Sequence, residues 1–216
     1  MERRLAAILA ADMVSYSRLM GEDEAGTLAA YQRHRRELIT PQAIQYHGRI
    51  CKLTGDGALM EFASVVDAVR FAVEVQLSLR DENANRPLER QYCYRIGINI
   101  GDIVIEPEDI YGDGVNIAVR LQELADPGGI CVSGTAFDQV RGKLDLTSEH
   151  LGEKRVKNIA EPVTAKIPHG DYSPKGIVVP LRGGPPGIAG VGSTHQRVNG
   201  HPLYTQSLQA RVGRRS

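Results

Sequence analysis

Two carboxylates carry the first chemical signal in this chain. Residues 49–53 and 58–62 are strand-like runs flanking Gly55-Asp56-Gly57, and an Asp-Gly dipeptide between such runs is a strong hairpin signal. This places Asp56 at a tight turn, its carboxylate carried on a rigid ribbon. Asp is favoured in turns for backbone reasons alone, and spacing by itself favours that plainer role. A second acid shifts the balance. Residues 5–11 (LAAILAA) form an uninterrupted apolar run suited to a buried strand, and the run ends on Asp12. One carboxylate at the end of a central strand and another at the tip of a neighbouring hairpin can hold Mg²⁺, which takes few protein carboxylates and completes its shell with water and phosphate oxygens. Two such aspartates are a candidate two-metal phosphoryl-transfer site.

A third feature lies further along, in DIYGDGVNIAVRLQEL at 109–124. Asp113 reads as an N-cap, and 114–125 as a helix with Val115, Ala118, Leu121 and Ala125 turned inward. Asn116 and Arg120 are four apart and project from one face. Such a pair is ordinarily plain helix surface, so its meaning depends on what faces it.

The elements that must position these groups follow from periodicity. Residues 23–39 read as a helix with Leu28, Tyr31, Arg35 and Leu38 or Ile39 at three-to-four spacing. Thr40-Pro41 interrupts it, because the residue before proline is pushed out of the α region, and a further short helix runs to His47. The basic cluster Arg33, Arg35 and Arg36 reads as a solvated helix face. Ser64 and Asp67 form a capping box variant that opens a helix with the stripe Val69, Ala72, Val73, Gln76 and Leu77. Residues 92–105 alternate and are rich in β-branched side chains, as two strands or one long bent one. Beyond them come a strand at 129–132, a short helix at 135–142, and closing strands at 144–151 and 161–167 with Lys157 between.

Composition bounds the rest. With 216 residues and 42% hydrophobic content, the chain can bury one sizeable core. No apolar run approaches the ~20 residues that cross a bilayer, and the apolar run before Asp12 is too short for a secretory signal; the expected location is the cytoplasm, with no transmembrane segment. Cys51, Cys93 and Cys131 are odd in number and widely spaced inside strand-like runs, which predicts buried reduced thiols. The zero net charge hides an asymmetry. From Ser173 on there are six Lys/Arg and no Asp/Glu, so residues 1–172 hold 26 acids against 20 bases. An acidic body argues against nucleic acid binding on the folded domain. Eight Gly and five Pro in the last 44 residues meet the compositional threshold for disorder. The expected organisation is one domain over 1–170 and a disordered basic Gly/Pro-rich tail over 171–216.

Taken in order, LAADMVSYS, GRICKLTGDG, RIGINIGDIVI, DIYGDGVNIAVR and VKNIAEPV resemble the linked motifs of a class III nucleotidyl cyclase catalytic domain, from about Arg3 to Ile167. Five motifs in register make chance agreement unlikely, where one alone would be weak. The resemblance implies an α+β fold with a ferredoxin-like, palm-like antiparallel sheet flanked by helices. It makes Asp12 and Asp56 resemble the metal-binding aspartates, with the Met13 carbonyl a further ligand and two Mg²⁺ or Mn²⁺ ions per site. Ser15 falls near the phosphates, and Lys157 near a lysine that contacts the triphosphate. Lys52 and Asp109 resemble the purine-reading pair, Asn116 the ribose-orienting asparagine, and Arg120 the arginine that stabilises the transition state.

Residue chemistry agrees with the purine assignment. Adenine offers an acceptor at N1 and a donor at its amino group, which suits a lysine beside an aspartate; guanine has the reverse pattern on that edge. The implied activity is conversion of ATP to 3′,5′-cyclic AMP and pyrophosphate. In the family the metal aspartates and the purine and transition-state residues of one site come from different subunits, which implies a head-to-tail homodimer. The connection 105–109 is short where many relatives have a longer β-hairpin. The alternatives are a guanylyl cyclase or a non-catalytic nucleotide-binding or dimerisation module of the same fold; the acidic signature loop of diguanylate cyclases is absent.

Overall fold

The computed structural model describes residues 2–106, 109–144, 147–154 and 163–169, the last two stretches as backbone strands. The expectations for Lys157 and for the 171–216 tail lie outside the described residues. The scaffold begins with β1 (Glu2–Met13), which pairs antiparallel with β3 (Gly57–Phe62) on one side and with β4 (Tyr94–Glu106) on the other. With β2 (Gly48–Thr54) outside β3, the first four strands run in the order β2-β3-β1-β4. Helices fill the two crossovers, so this half is a ferredoxin-like βαββαβ unit, and the α+β expectation holds. The sheet continues through β6 (Ile130–Ser133), parallel to β4, then β8 (Val163–His169) and β7 (Thr147–Lys154).

β1 is buried on both faces, which is why its sequence is a continuous apolar run rather than an alternation. Ala7, Leu9, Ala11 and Met13 enter the main core, while Ala6, Ile8 and Ala10 enter a smaller cluster with Cys51, Leu59, Ile103, Ile110 and Ala118. The period of two therefore puts Asp12 on the second face. The main core lies under α4 (Val65–Asn83), where Ser64 Oγ accepts from Val66 N–H at 3.2 Å. Asp67 lies 3.4 Å from His47 Nδ1, a contact outside the capping box. Gln76, placed correctly on the inward stripe, donates to the Tyr94 and Gly129 carbonyls at 2.9 and 3.0 Å and so ties α4 to the sheet.

Several local expectations are corrected. The helical stretch starts earlier, with α1 (Tyr16–Glu22) before α2 (Glu24–Arg33), and Asp23 caps α2 by accepting from Gly26 N–H. Tyr31 and Ile39 are buried as expected, together with Thr27, Ala30 and His34, but Leu28 and Arg35 are exposed. Thr40-Pro41 does not break the helix. A π-helical segment, His34–Ile39, widens the turn so that Thr40 N–H reaches the Arg35 carbonyl, and α3 (Thr40–Gln45) carries the proline in its first turn, where a missing N–H costs least. Arg33 is no free surface group; it pairs with Glu82. Of the cysteines, Cys51 and Cys131 are buried and Cys93 half-buried, and none of the three is in a disulfide.

The second face is covered by α5 (Asp113–Leu124), which lies against β4, β1 and β6. Glycine makes this close approach possible. A Cβ on Gly97 would sit 2.1 Å from the Ala118 carbonyl oxygen and 2.2 Å from the Gln122 nitrogen. Buried Asn99 donates to the Gly114 carbonyl at 3.1 Å and pins the start of the helix. The N-cap is Gly112, at φ 140°, rather than Asp113, which occupies the first helical turn. The chain between β4 and α5 also contains β5 (Asp109–Tyr111), which pairs back onto Val104–Glu106.

Candidate active site

Asp12 and Asp56 meet at one corner of the sheet. Asp12 stands opposite Gly57 in the β1/β3 register, and the hairpin tip is fastened to β1 by Met13 N–H donating to the Asp56 carbonyl at 3.0 Å. The tip is a two-residue loop, Gly55-Asp56, one residue earlier than the Asp-Gly pair expected from sequence; Gly55 takes the positive φ, 52°. Tyr31 supports the tip from below, its hydroxyl donating to the Gly57 carbonyl at 3.3 Å. The two carboxyls are close enough to perturb each other. Partial burial, then the Asp12 charge, holds the Asp56 carboxyl above the ordinary carboxylate range.

Two residues that sequence reasoning missed complete this corner. Arg95 is the cross-strand partner of Asp12 and donates from Nη2 to Asp12 Oδ2 at 2.8 Å. Gln122, buried on α5, approaches the same oxygen at 3.5 Å. The available signal for Arg95 was an arginine at the head of RIGINI, a run otherwise suited to burial. Ser15, two residues beyond the end of β1, sits at φ 57°, a left-handed conformation uncommon for a non-glycine residue and often found at functional positions. Met13 packs its side chain into the core, so only its backbone can serve a ligand. Two hard carboxylate oxygens in a partly buried, like-charged pair fit a divalent ion that keeps water and phosphate ligands. Among the described residues no third His, Cys, Asp or Glu joins them.

A second cluster lies on β2 and β5. A bulge between Ile50 and Lys52 makes Lys52, rather than Cys51, the partner of Leu59 in the β2/β3 register. That irregularity re-aims the lysine, and its Nζ bonds to the Asp109 carboxylate. The lysine bond holds the Asp109 carboxyl below the ordinary range, and Asp109 holds the Lys52 ammonium above its own. Asp109 Oδ1 also accepts from Ile110 N–H at 2.8 Å. Both residues line an open cleft of about 860 Å³ with Ile50, Leu53, Glu106 and Tyr111.

The third group is on α5. Asn116 is exposed and Arg120 half-exposed, away from the buried side formed by Gly114, Ala118, Leu121 and Gln122. Arg120 Nη1 grips both carboxylate oxygens of Glu123, at 2.6 and 2.9 Å. Among the described residues no hydrogen bond or ion pair joins these three groups to one another.

Residues 41–167 match the adenylate and guanylate cyclase catalytic domain family. The chain belongs to this family. The match begins at Pro41, so β1 with Asp12 precedes it in this cyclase domain. Among curated relatives, the protein named "Putative adenylate cyclase 3" of Rhizobium meliloti (strain 1021) is 45% identical over 161 residues, covering 74% of this chain and 27% of that protein. An adenylate cyclase of Streptomyces coelicolor is 32% identical over 140 residues, 63% of this chain and 34% of its own. The cyclase domain thus spans about a quarter to a third of the length of these relatives. Among solved structures, an adenylate/guanylate cyclase/hydrolase from Silicibacter pomeroyi superposes with a TM-score of 0.73 at 44% identity, covering 77% of this chain and 96% of that one. The adenylyl cyclase CyaB from P. aeruginosa, at 20% identity and TM-score 0.67, shares the fold. Among the described residues no helix of the cyclase domain is long and apolar enough to cross a membrane.

Proposed function

We propose that this domain, residues 1–170, converts ATP to 3′,5′-cyclic AMP and pyrophosphate at a site shared by two copies of the chain. The reading rests above all on the meeting of Asp12 and Asp56 at one corner while Lys52 and Asp109 form a separate cluster on the same chain. One copy supplies the acidic pair, and the other supplies Lys52, Asp109, Asn116 and Arg120. In the reaction the ribose 3′-oxygen forms a bond to the α-phosphorus as the bond from that phosphorus to the bridging oxygen of pyrophosphate breaks, and the 3′-hydroxyl proton leaves to solvent. Asp12, Asp56 and the Met13 carbonyl are the groups that would hold two Mg²⁺ or Mn²⁺ ions, which when bound neutralise triphosphate charge and acidify the 3′-hydroxyl.

The protein groups do the positioning. Asn116 orients the ribose, and Ser15 lies beside the phosphates. Arg120 meets negative charge developing at the α-phosphate, the kind of preorganised electrostatic contact whose loss commonly costs ~10²-fold or more in rate. Lys52 donates to the adenine N1 and Asp109 accepts from its amino group, so guanine would leave both unpaired. Exchange of the Arg120 bond from Glu123 to phosphate is expected on substrate binding, since Glu123 holds it only at the surface, where such pairs are weak.

Purified chain incubated with ATP or GTP and Mn²⁺ or Mg²⁺ tests the activity: cyclic AMP from ATP is the expected product, and a protein that makes only cyclic GMP, from GTP, overturns the substrate assignment. Mixing inactive Asp56→Ala with inactive Arg120→Ala tests the shared site. Activity should return in the mixed dimer, and its failure to return places all the residues within one copy.

A further inference from the structure

Arg95 has no part in the roles assigned above, yet it makes a direct charged contact to Asp12. Its Nη2 is 2.8 Å from Asp12 Oδ2 across the β1/β4 ladder, and both side chains are fixed by a strand register rather than by a flexible loop. An arginine carries its positive charge at every physiological pH. Its other contacts are incomplete: Nε is buried without a hydrogen-bond partner, and the side chain as a whole is only 30% exposed. The guanidinium is therefore held at this corner mainly by one carboxylate. Gln122, the second donor to Oδ2, is neutral and at 3.5 Å, and cannot supply that charge.

We propose that Arg95 is a competing internal cation: it occupies Asp12, and a divalent ion binds only by displacing the guanidinium or sharing the carboxylate with it. The proposal rests on the reading of Asp12 as a metal ligand. Its consequence is a metal affinity set deliberately low by the protein's own charge, because an ion on Asp12 feels the adjacent guanidinium as repulsion. For one unit charge about 5 Å from a divalent ion, even water-like screening means that removal of the charge is expected to tighten ion binding roughly tenfold or more.

The experiment is Mn²⁺ binding to the full chain without nucleotide, followed by the electron paramagnetic resonance signal of free Mn²⁺ and by calorimetry. Arg95→Met and Arg95→Gln should bind Mn²⁺ roughly tenfold more tightly than the parent, and Arg95→Lys should stay near the parent because it keeps the charge. Gln retains hydrogen-bonding capacity, so the two neutral variants separate loss of charge from loss of a contact, and either serves if the other does not fold by circular dichroism. Unchanged or weaker Mn²⁺ binding in the folded neutral variants overturns the proposal. Asp12→Asn provides the separate check: if it binds Mn²⁺ as the parent does, the metal assignment itself fails, whereas binding lost in Asp12→Asn but unmoved in Arg95→Met removes only the role of Arg95.

Discussion

Asp56 and Asp109 are the same residue type on one sheet, and their carboxyls are driven in opposite directions. Burial and the neighbouring Asp12 push Asp56 up, while the bond from Lys52 pulls Asp109 down. The hairpin corner thus concentrates like charge and leaves a place for a cation; the β2/β5 pair is already complete as a donor and an acceptor. What suits the first cluster is a positive ion. A ligand for the second must replace each half of an existing bond, which a purine edge with an acceptor beside a donor can do.

The contrast can be broken most severely at its charged members. Asp12→Asn and Arg120→Ala are each expected to lower the rate of cyclic AMP formation ~10²-fold or more. Arg120→Ala should keep most of its nucleotide affinity, as measured by equilibrium binding, and a parent-like rate would remove Arg120 from the site. Next in size is Gly97→Ala. Its Cβ would meet backbone atoms of α5 at 2.1 and 2.2 Å, so the helix must shift, at about 1–3 kcal/mol of stability in thermal or urea unfolding. The shift would move Gln122 away from Asp12 while leaving Lys52 and Asp109 in place; turnover should fall while the preference between ATP and GTP is kept.

Lys52→Ala sharpens the other side. Removing the charged donor should narrow the ratio of kcat/KM for ATP over GTP by roughly tenfold or more, with a smaller effect on stability because the lysine side chain is 47% exposed. The smallest effect is thermodynamic. A carboxyl whose folded value lies above its ordinary 3.8 costs stability as pH rises through that folded value, and costs nothing below the ordinary one. Asp56→Asn should therefore melt above the parent at neutral pH without divalent ions, and the difference should vanish in acid. Equal melting temperatures at neutral pH would show that the two carboxyls do not repel.

Much of this scaffold was legible locally. The buried strand of β1, the hairpin around Asp56, the cap at Ser64 and the inward residues of α5 all follow from short-range periodicity and turn chemistry, which depend on neighbours in sequence. Failures occurred where a distant group decided the outcome. Leu28 has helical spacing but no wall to pack on, whereas His34 is buried against Tyr92 and Tyr94, at ring separations of 5.3 and 5.9 Å. Thr40-Pro41 broke the helix on local rules, yet a π-helical turn upstream absorbed the proline. Arg95 could be seen in the sequence but not placed, because nothing nearby says which residue lies across the ladder.

By itself the sequence determined which residues could do chemistry and the order of the elements that carry them, since residue type and hydrophobic period are properties of the chain. Only the tertiary structure decided which charges face one another. A single bulge before Lys52 shifts its pairing by one residue, and a cross-strand register sets Arg95 against Asp12. Both are settled by pairing between segments far apart in the chain, where one residue of slippage exchanges the two faces of a strand.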